Sequence, residues 1–517
     1  MLHKILNRIS FGPTPASLAK LNAIGLEAYL EEQLAPSEEE APILIKKKAA
    51  FRFNNKDIGA KDQGFNYIHA SIEQLWEIAK DEKTLAKKGR IPAAEVLIDT
   101  CFNAIYSQWQ LREILVHFWH NHFNVSINAD ERIAVTLPLY DRDVIRKNCL
   151  GNFRDFLEAV AKSQAMLFYL NNASSRASPA NENFARELFE LHTLGEENYW
   201  NHLYNKWREV PGATAGKAEG YIDEDIYEAA RAFTGWTVAD GAWTEGGEKP
   251  NTGAFLYLEA WHDNYQKRIL GVEFQSNQAP LADGQKVLDL LAYHRGTAQF
   301  ICTKLCIKFI ADHPPQSIVD KAVKTWMQHQ QSPEQIKQVV RTILLSEEFK
   351  NSLGSKVKNP FELLISMIRA LELDFSPNLN LQWMLQQMGY HLFTWSTPTG
   401  HPDKATYWLN SSMLLKRWNL MPTILFDDWH KMVRFDADAL PPSTVKSSKE
   451  IVQFWLQKIL GTQHGFSPAH QQKLIDILLV ENKTEDDPPL TYGKEDRAYR
   501  FAHVISLILM APQFQYR

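Results

Sequence analysis

The chain has 517 residues, enough for a large core and ordinarily for more than one domain. Its hydrophobic share of 45% and charged share of 23% are typical of globular proteins. A formal net charge of −5 gives no general attraction to nucleic acid. No apolar run reaches the roughly 18 residues that a transmembrane helix needs. We therefore expect a globular protein with no nucleic-acid partner and no transmembrane segment.

The first residues, Leu2 to Arg8, contain no apolar signal region. From these residues alone, a cytoplasmic protein and an exported protein whose leader has been removed are both consistent with the sequence. Cys302 and Cys306 lie four residues apart in a helical stretch, a spacing that suits neither a zinc site nor a long-loop disulfide. We interpret the cysteines as core thiols.

A predicted helix ending near residue 123 carries one narrow polar strip. At about 100° per residue, His117 and His120 lie within roughly 40° of Glu113, and apolar residues fill most of the remaining circle. His122 reaches the same side only if the helix ends or distorts there. Buried polar groups need partners, so the strip predicts either hydrogen bonds to neighbouring helices or metal binding.

A second predicted helix is bounded by Pro179 and Gly195. Its polar stripe, beside an apolar one, consists of Asn183, Glu187 and Glu190. Partial burial would raise the pKa of such carboxyls toward the range in which protons are exchanged. Alternatively, Glu182, Arg186 and Glu190 form a ladder of surface ion pairs, because they are four residues apart.

The remaining segments complete the predicted architecture. Residues 252–257 and 269–274 are extended and predict one small β-hairpin or paired extended segments. The loop at 393–403 is rich in Pro, Gly, Trp and His and is expected to shape a pocket. We predict a mainly α-helical protein, a large bundle-like unit with one small hairpin near 252–274. Residues 1–300 form a motif-bearing region and residues 301–517 a C-terminal helical region packed on it, or the two form one continuous domain.

Several motifs occur in a fixed order: FWHNHF at 118–123, GNFRD at 151–155, the helix at 181–195, TGW at 234–236 and GHPD at 400–403. In this order the chain resembles, over nearly its whole length, the bacterial family known as domain of unknown function 1800. The resemblance implies that the protein is exported, for example to the periplasm. It does not imply a particular reaction. It implies recurring polar positions, which here are His120, Asn121, His122, Arg154, Asn181, Glu182, Asn183, Arg186, Glu187, Glu190, His262, Asp263 and Lys267.

The chain departs from the family pattern in three ways. His117 stands where the family would have an apolar residue, no leader precedes the opening motif, and the loop at 397–402 is a variant of the family's Pro- and Gly-rich segment.

The preferred functional hypothesis is a hydrolase or lyase acting on a small molecule or oligosaccharide. Glu187 and Glu190 would serve as general acid and base, and His120 or His122 would shuttle a proton or stabilise charge. The predicted substrate-binding residues are Asn181, Asn183, Arg154, Arg186, Trp236, His262, Asp263, Lys267 and His401. Nothing in the sequence requires a cofactor.

Two alternatives stay open. In the first, two helix strips face each other and hold a divalent metal such as iron or manganese. The ligands would be Glu113, His117, His120, Glu187 and Glu190, although neither helix has the Glu-x-x-His pair of known carboxylate-bridged bundles. In the second, the polar motifs are buried networks of a non-catalytic scaffold or of a glycan- or protein-binding module.

Overall fold

The computed structural model describes residues 1–426, 432–435, 441–442, 444–479, 483–489 and 494–517. Over these ranges the protein is mainly α-helical, and its β-structure is limited to short antiparallel pairs. The predicted fold class is therefore confirmed. Within the same ranges, no helix combines the length and apolar character needed to cross a membrane.

The helices follow one another with short connections. The first are α1 (Leu2–Ile9), α2 (Pro15–Gln33), α3 (Pro42–Ala50), α4 (Ile72–Ala79), α5 (Glu82–Lys88), α6 (Arg90–Tyr106), α7 (Gln110–His122), α8 (Glu131–Leu139), α9 (Phe153–Lys162), α10 (Gln164–Tyr169), α11 (Glu182–Glu187) and α12 (Asp223–Ala232). The later ones are α13 (Ala282–Ala292), α14 (Arg295–Phe309), α15 (Gln316–Gln328), α16 (Gln335–Leu344), α17 (Glu347–Asn351), α18 (Pro360–Ala370), α19 (Asn380–Gln387), α20 (Ala405–Trp408), α21 (Ser411–Phe426), α22 (Ser448–Leu460), α23 (Pro468–Leu478), α24 (Lys494–Met510) and α25 (Pro512–Gln515).

Local sequence explains where several of these helices begin. The side chains of Thr14, Ser71, Asn359 and Ser447 each accept a hydrogen bond from the third residue of the helix that follows, whose own side chain bonds back to the cap. Pro360 occupies the first turn of α18, where its missing N–H costs nothing.

Two helices continue into π-helical turns, which the sequence periodicity did not predict. α8 runs into Tyr140–Arg146, and α11 runs into Leu188–Thr193. The predicted helix over 179–195 is thus α-helical only in its first half, and Gly195 ends it with a positive φ of 86°. Single π turns are rare and frequently occur at functional sites.

The β-structure differs from the predicted hairpin. The strands are β1 (Phe53–Asn55), β2 (Ala60–Gln63), β3 (Trp236–Asp240), β4 (Trp243–Thr244), β5 (Gly247–Glu248), β6 (Asn251–Tyr257), β7 (Lys267–Ile269), β8 (Val272–Phe274), β9 (Asp374–Phe375) and β10 (Val433–Arg434). β6 pairs with β3, and β7 pairs with β8. The predicted pairing of 252–257 with 269–274 is therefore wrong. Leu270 and Gly271 both have positive φ, the conformation of a two-residue hairpin turn, so the second extended segment is itself a hairpin.

Distant parts of the chain meet at Arg8, which is fully buried in α1. Its guanidinium donates to the carbonyls of Phe309 and Ile310 at 2.7 Å each, of Ser352 at 2.8 Å and of Arg517 at 2.7 Å. This one side chain therefore provides hydrogen bonds to carbonyl groups at the end of α14, in the segment after α17 and at Arg517.

The predicted division at residue 300 falls inside α14 (Arg295–Phe309). The division into two regions stays a prediction. Of the predicted C-terminal helical region, the segments 427–431, 436–440, 443, 480–482 and 490–493 lie outside the described residues.

Candidate functional site

Most polar side chains of the α7 strip belong to a network of side chains centred on Arg146, which lies in the first π-helical turn. Arg146 Nη1 lies 2.8 Å from both carboxylate oxygens of Glu113, and Arg112 Nε lies 3.1 Å from one of them. Asp141 accepts from His120 Nε2 at 2.9 Å and lies 3.4 Å from Arg146 Nε. We call these residues, Arg112, Glu113, His120, Asp141 and Arg146, the Arg146 network.

The charges of the Arg146 network neutralise one another. Burial raises the pKa of Glu113, but Arg146 and Arg112 outweigh burial and hold that pKa below its ordinary value. The pKa of Asp141 is held well below its ordinary value in the same way, by Arg146 and by the hydrogen bond from His120. Both carboxylates are therefore ionised, paired and structural in character.

The predicted metal ligands do not converge. His117 is engaged by another partner, since its Nε2 lies 2.5 Å from the hydroxyl of Tyr390. Its ring stacks on Phe361 at 5.1 Å, and burial lowers its pKa to about 3. Throughout the described ranges, no group of three or more His, Cys, Asp or Glu side chains is placed to hold a metal ion. The carboxylate of Glu113 faces two guanidiniums instead of an imidazole pair.

The second polar stripe behaves differently. Asn181 caps α11, since its Oδ1 accepts from the backbone N–H of Asn183 at 3.0 Å. Arg186 pairs with Glu182 at 3.3 Å on the exposed side of the helix, as the ladder hypothesis predicted for that pair. Glu187 and Glu190, both partly buried, make no hydrogen bond and no ion pair with the described residues. Burial and the neighbouring charge of Glu190 raise the pKa of Glu187 to about 7, against the opposing effect of Arg186.

Glu187 lies near the start of the predicted pocket loop. The hydroxyl of Tyr169 donates to the carbonyl of Ser396 at 3.0 Å, and Asn124 Nδ2 donates to the carbonyl of Thr397 at 2.8 Å. Burial, and to a smaller extent the charge of Glu187, raise the pKa of Tyr169 to about 12.

The far end of this loop lines a pocket of about 330 Å³ between the end of α7 and α14. We call it the Lys304 pocket. Its lining residues are His117, Phe118, Asn121, His122, Lys304, Ile307, Lys308, Asn359, Tyr390, Thr399, His401, Pro402, Asp403, Lys404 and Trp408. Neither Glu187 nor Glu190 is among them. The carboxyls, His120 and His122 were predicted to share one site. Of these residues only His122 lines the Lys304 pocket, and His120 belongs to the Arg146 network.

His122 links the Lys304 pocket to the π-helical turn that carries Glu190. Its Nδ1 accepts from Lys304 Nζ at 2.9 Å, so its Nε2 carries the proton and donates to the carbonyl of His192 at 3.2 Å. His192 belongs to the same π-helical turn as Glu190. Burial lowers the pKa of Lys304 to about 8, although Glu197 and Asp403 act in the opposite direction.

His401 shapes the wall of the Lys304 pocket. Its backbone N–H donates to Asn121 Oδ1 at 2.7 Å, and its ring Nε2 accepts from the backbone N–H of His391 at 2.9 Å. The ring lies 4.3 Å from the ring of Tyr390. At Gly400, which has a φ of +68°, a Cβ would come within 2.1 Å of the backbone oxygen of Asn121. Only glycine permits this approach of the loop to α7.

The family model described as "Protein of unknown function (DUF1800)" matches residues 4–516. The chain belongs to this family. The resemblance inferred from the ordered motifs is therefore confirmed. The chain matches no curated protein and no solved structure.

Other predicted substrate-binding residues of this DUF1800 protein have internal partners and do not line the Lys304 pocket. Arg154 pairs with Glu158 and Asp289. Asp263 receives both ends of the Arg231 guanidinium, at 2.8 and 2.9 Å.

Three more of the predicted residues, His262, Lys267 and Trp236, also lie outside the Lys304 pocket. His262 Nε2 and Lys267 Nζ converge on Asp283 at 3.3 and 2.7 Å. Trp236 is fully buried in the core. These side chains hold the β7 segment against α12 and α13, as the scaffold alternative predicted for buried polar motifs.

The sequence analysis missed several residues that decide the chemistry of both sites. They are Asp141, Arg146, His192, Lys304, Tyr390 and Asp403. One signal was available for Lys304: it and Lys308 are four residues apart in the mostly apolar second half of α14, where a lysine is unusual unless it has a partner or a function. Arg146 carries no comparable local signal, because its partner lies 33 positions earlier in the chain.

Proposed function

We propose that this DUF1800 protein is an enzyme in which Glu187 exchanges a proton with its substrate. The proposal rests on one observation: the Glu187 carboxyl is partly buried beside Glu190, has no partner among the described residues, and has a pKa raised to about 7. A group that titrates near the working pH both donates and accepts protons efficiently. Glu113, which is buried against two guanidiniums, has its pKa lowered instead.

The reaction that suits this pair best is the cleavage of a glycosidic bond. Side chains three residues apart on a helix have Cβ atoms about 5–6 Å apart, so the two carboxyl groups can take up the separations of about 5–10 Å that serve sugar hydrolysis. Protonated Glu187 gives its proton to the leaving oxygen as the carbon–oxygen bond breaks. Glu190 is the partner carboxylate that offsets the positive charge on the sugar. Water then adds to the sugar carbon, and its proton restores Glu187.

A hydroxyl-rich, carbohydrate-like substrate would find polar groups on the same helix. Arg186 is partly exposed there, as is Tyr199 in the segment that follows. The ring of Tyr199 stacks on that of Tyr221 at 5.1 Å. Asn183, which is exposed at the start of α11, extends this polar surface. An elimination that cleaves the same bond would use the same two carboxyls and belongs to the proposal as the lyase form.

The test compares the wild-type protein with Glu187→Gln and Glu182→Gln on a panel of oligosaccharides, with released reducing ends as the readout. We expect Glu187→Gln to lower kcat by at least about 100-fold, the usual contribution of a general acid. Glu182→Gln is the matched control, since it removes a carboxylate one turn earlier that only forms a surface pair. Full turnover by Glu187→Gln on a cleaved substrate would overturn the proposal.

The proposal includes export from the cytoplasm, on the basis of the family resemblance. Fractionation of cells that express the gene from its own start would test it. Recovery in the cytoplasm alone would contradict this part of the proposal and leave the role of Glu187 untouched.

A further inference from the structure

We propose that the Lys304 pocket binds a small oxyanion, namely the carboxylate, phosphate or sulfate group of a ligand about the size of a sugar ring. The Lys304 side chain would hold the anionic group. This inference goes beyond the proposed function, because neither Glu187 nor Glu190 lines the pocket. Each can therefore fail without the other.

Lys304 has hydrogen-bonding capacity to spare. Its Nζ donates to His122 Nδ1 at 2.9 Å and lies 5.2 Å from the centre of the Phe300 ring. Among the described residues, no carboxylate forms an ion pair with it. An ammonium has three N–H donors, so two are left for a ligand. A lysine on a pocket wall without a carboxylate partner is a natural contact for an anion.

The acidic group on the pocket wall does not compete for Lys304. Asp403 lines the pocket, but its carboxylate lies 2.9 Å from Lys356 Nζ, which also reaches Asp312 at 2.6 Å. Lys308, another lining residue, is neutralised by Glu362 at 2.7 Å. Two lysines on the described part of the wall therefore have no ion-pair partner, Lys304 and Lys404. Lys404 is the more exposed of the two.

Cations also predominate behind the wall. Glu362, the partner of Lys308, is a single buried acid surrounded by buried basic side chains: Arg8, Lys358, Arg417 and Arg517. Lys358 Nζ has no hydrogen-bond partner among the described residues and lies 3.8 Å from the centre of the Phe514 ring. An excess of buried positive charge creates a positive potential in the adjacent cavity, which favours an anion there.

The shape of the pocket limits the size of the ligand. A volume of about 330 Å³ is at the small end of ligand sites, so the body attached to the anion is no larger than one ring. The rings of Phe118, Tyr390 and Trp408 line the pocket and offer apolar faces to that body. Glucuronate, which combines a carboxylate with one sugar ring, is therefore a suitable probe.

The experiment is calorimetric titration of the full-length protein in phosphate-free buffer with four probes: glucuronate, inorganic phosphate, sulfate and glucose. Glucose is the neutral counterpart of glucuronate. We expect at least one anion to bind and glucose to bind at least about tenfold more weakly than glucuronate. Which anion binds most tightly distinguishes a carboxylate site from a phosphate or sulfate site.

Variants locate the binding in the pocket. Lys304→Met, which removes the charge and keeps the length of the side chain, should weaken anion binding at least about tenfold, as expected for a lost charge-assisted hydrogen bond. Lys304→Arg should retain most of it. Lys324→Met is the matched control, because it removes the same charge from an exposed position of α15.

Three results would overturn the inference. They are the absence of binding by all three anions, equal affinity for glucose and glucuronate, and undiminished anion binding by a folded Lys304→Met. If Lys304→Met does not fold, the wild-type comparison of glucuronate with glucose, together with Lys304→Arg, still decides. Glu187→Gln should bind the anion like the wild type, which separates this site from the proposed catalytic one.

Discussion

α7 and the helix that begins with α11 each carry a polar stripe beside apolar residues, with a carboxylate and histidines in the first and two carboxylates in the second. The carboxylates of the two stripes have opposite surroundings. On α7, Glu113 faces the guanidinium of Arg146, and its pKa is lowered although it is deeply buried. At the end of α11, Glu187 is less buried but forms no ion pair with the described residues, and its pKa is raised to about 7. The difference lies in what the neighbouring element supplies.

Both stripes continue into, or pack against, a π-helical turn. The turn Tyr140–Arg146 carries Asp141 and Arg146, which complete the network of α7. The turn Leu188–Thr193 carries Glu190 and His192 and supplies no cation. A carboxylate stripe therefore indicates chemistry only when the elements packed on it leave it unpaired.

The largest effect on stability should come from removing the central cation of the first stripe. Arg146→Met leaves the buried carboxylates of Glu113 and Asp141 without their main partner, so we expect the free energy of unfolding to fall by about 3–5 kcal/mol. Urea denaturation measures it. Arg341→Met, which removes a surface arginine paired with Glu31, should cost no more than about 1 kcal/mol. Equal losses in the two variants would show that the network is not held together by Arg146.

A smaller effect of opposite sign is expected at the second stripe. The pKa of Glu187 is raised in the folded protein from an ordinary 4.5 to about 7, so ionisation costs the folded state stability as the pH rises through this window. Glu187→Gln should be more stable than the wild type by about 1–2 kcal/mol at pH 8, after allowance for solvent screening. At pH 4, where the wild-type carboxyl is protonated in both states, the difference should vanish.

Urea denaturation at both pH values measures this difference. A variant that is less stable than the wild type at pH 8 would mean that the carboxylate has a stabilising partner, and Glu187 would then resemble Glu113. The comparison between the two helices would no longer hold.

The smallest effect is expected at the exposed edge of the second stripe. Glu182 and Arg186 form a surface pair at 3.3 Å with side chains 44% and 36% exposed. Such pairs contribute little, so Glu182→Gln should change the free energy of unfolding by less than about 0.5 kcal/mol. Thermal unfolding at low and high salt checks this. A larger, salt-insensitive loss would mean that Glu182 has a buried role.

Helical periodicity, which depends on local sequence, predicted the mainly α-helical fold and the shared stripe of Glu187 and Glu190. It also predicted that partial burial would raise the pKa of such carboxyls, and the value at Glu187 agrees with that expectation. The cap at Asn181 and the stop at Gly195 follow from local chemistry as well.

The features that the sequence did not predict depend on contacts between residues that are distant in the chain. Whether Glu113 is a metal ligand or an ion-pair partner is decided by Arg146, 33 positions away, and its approach is set by a π-helical turn that no periodicity signals. The hairpin was misassigned because the turn at Leu270 and Gly271 lies inside a segment with an extended pattern. Arg154 and Lys267 carry suitable charges for a ligand, and only the fold reveals Asp289 and Asp283 opposite them.

The position of Arg8 has a consequence for the order in which the protein is assembled during synthesis. Its acceptors are the carbonyls of Phe309, Ile310, Ser352 and Arg517, which lie between 301 and 509 positions later in the chain. Contacts this remote in sequence form slowly, because a long loop must close before they contribute. The guanidinium of Arg8 therefore lacks part of its hydrogen bonds until these later segments have been translated and have folded, and α1 docks completely only then.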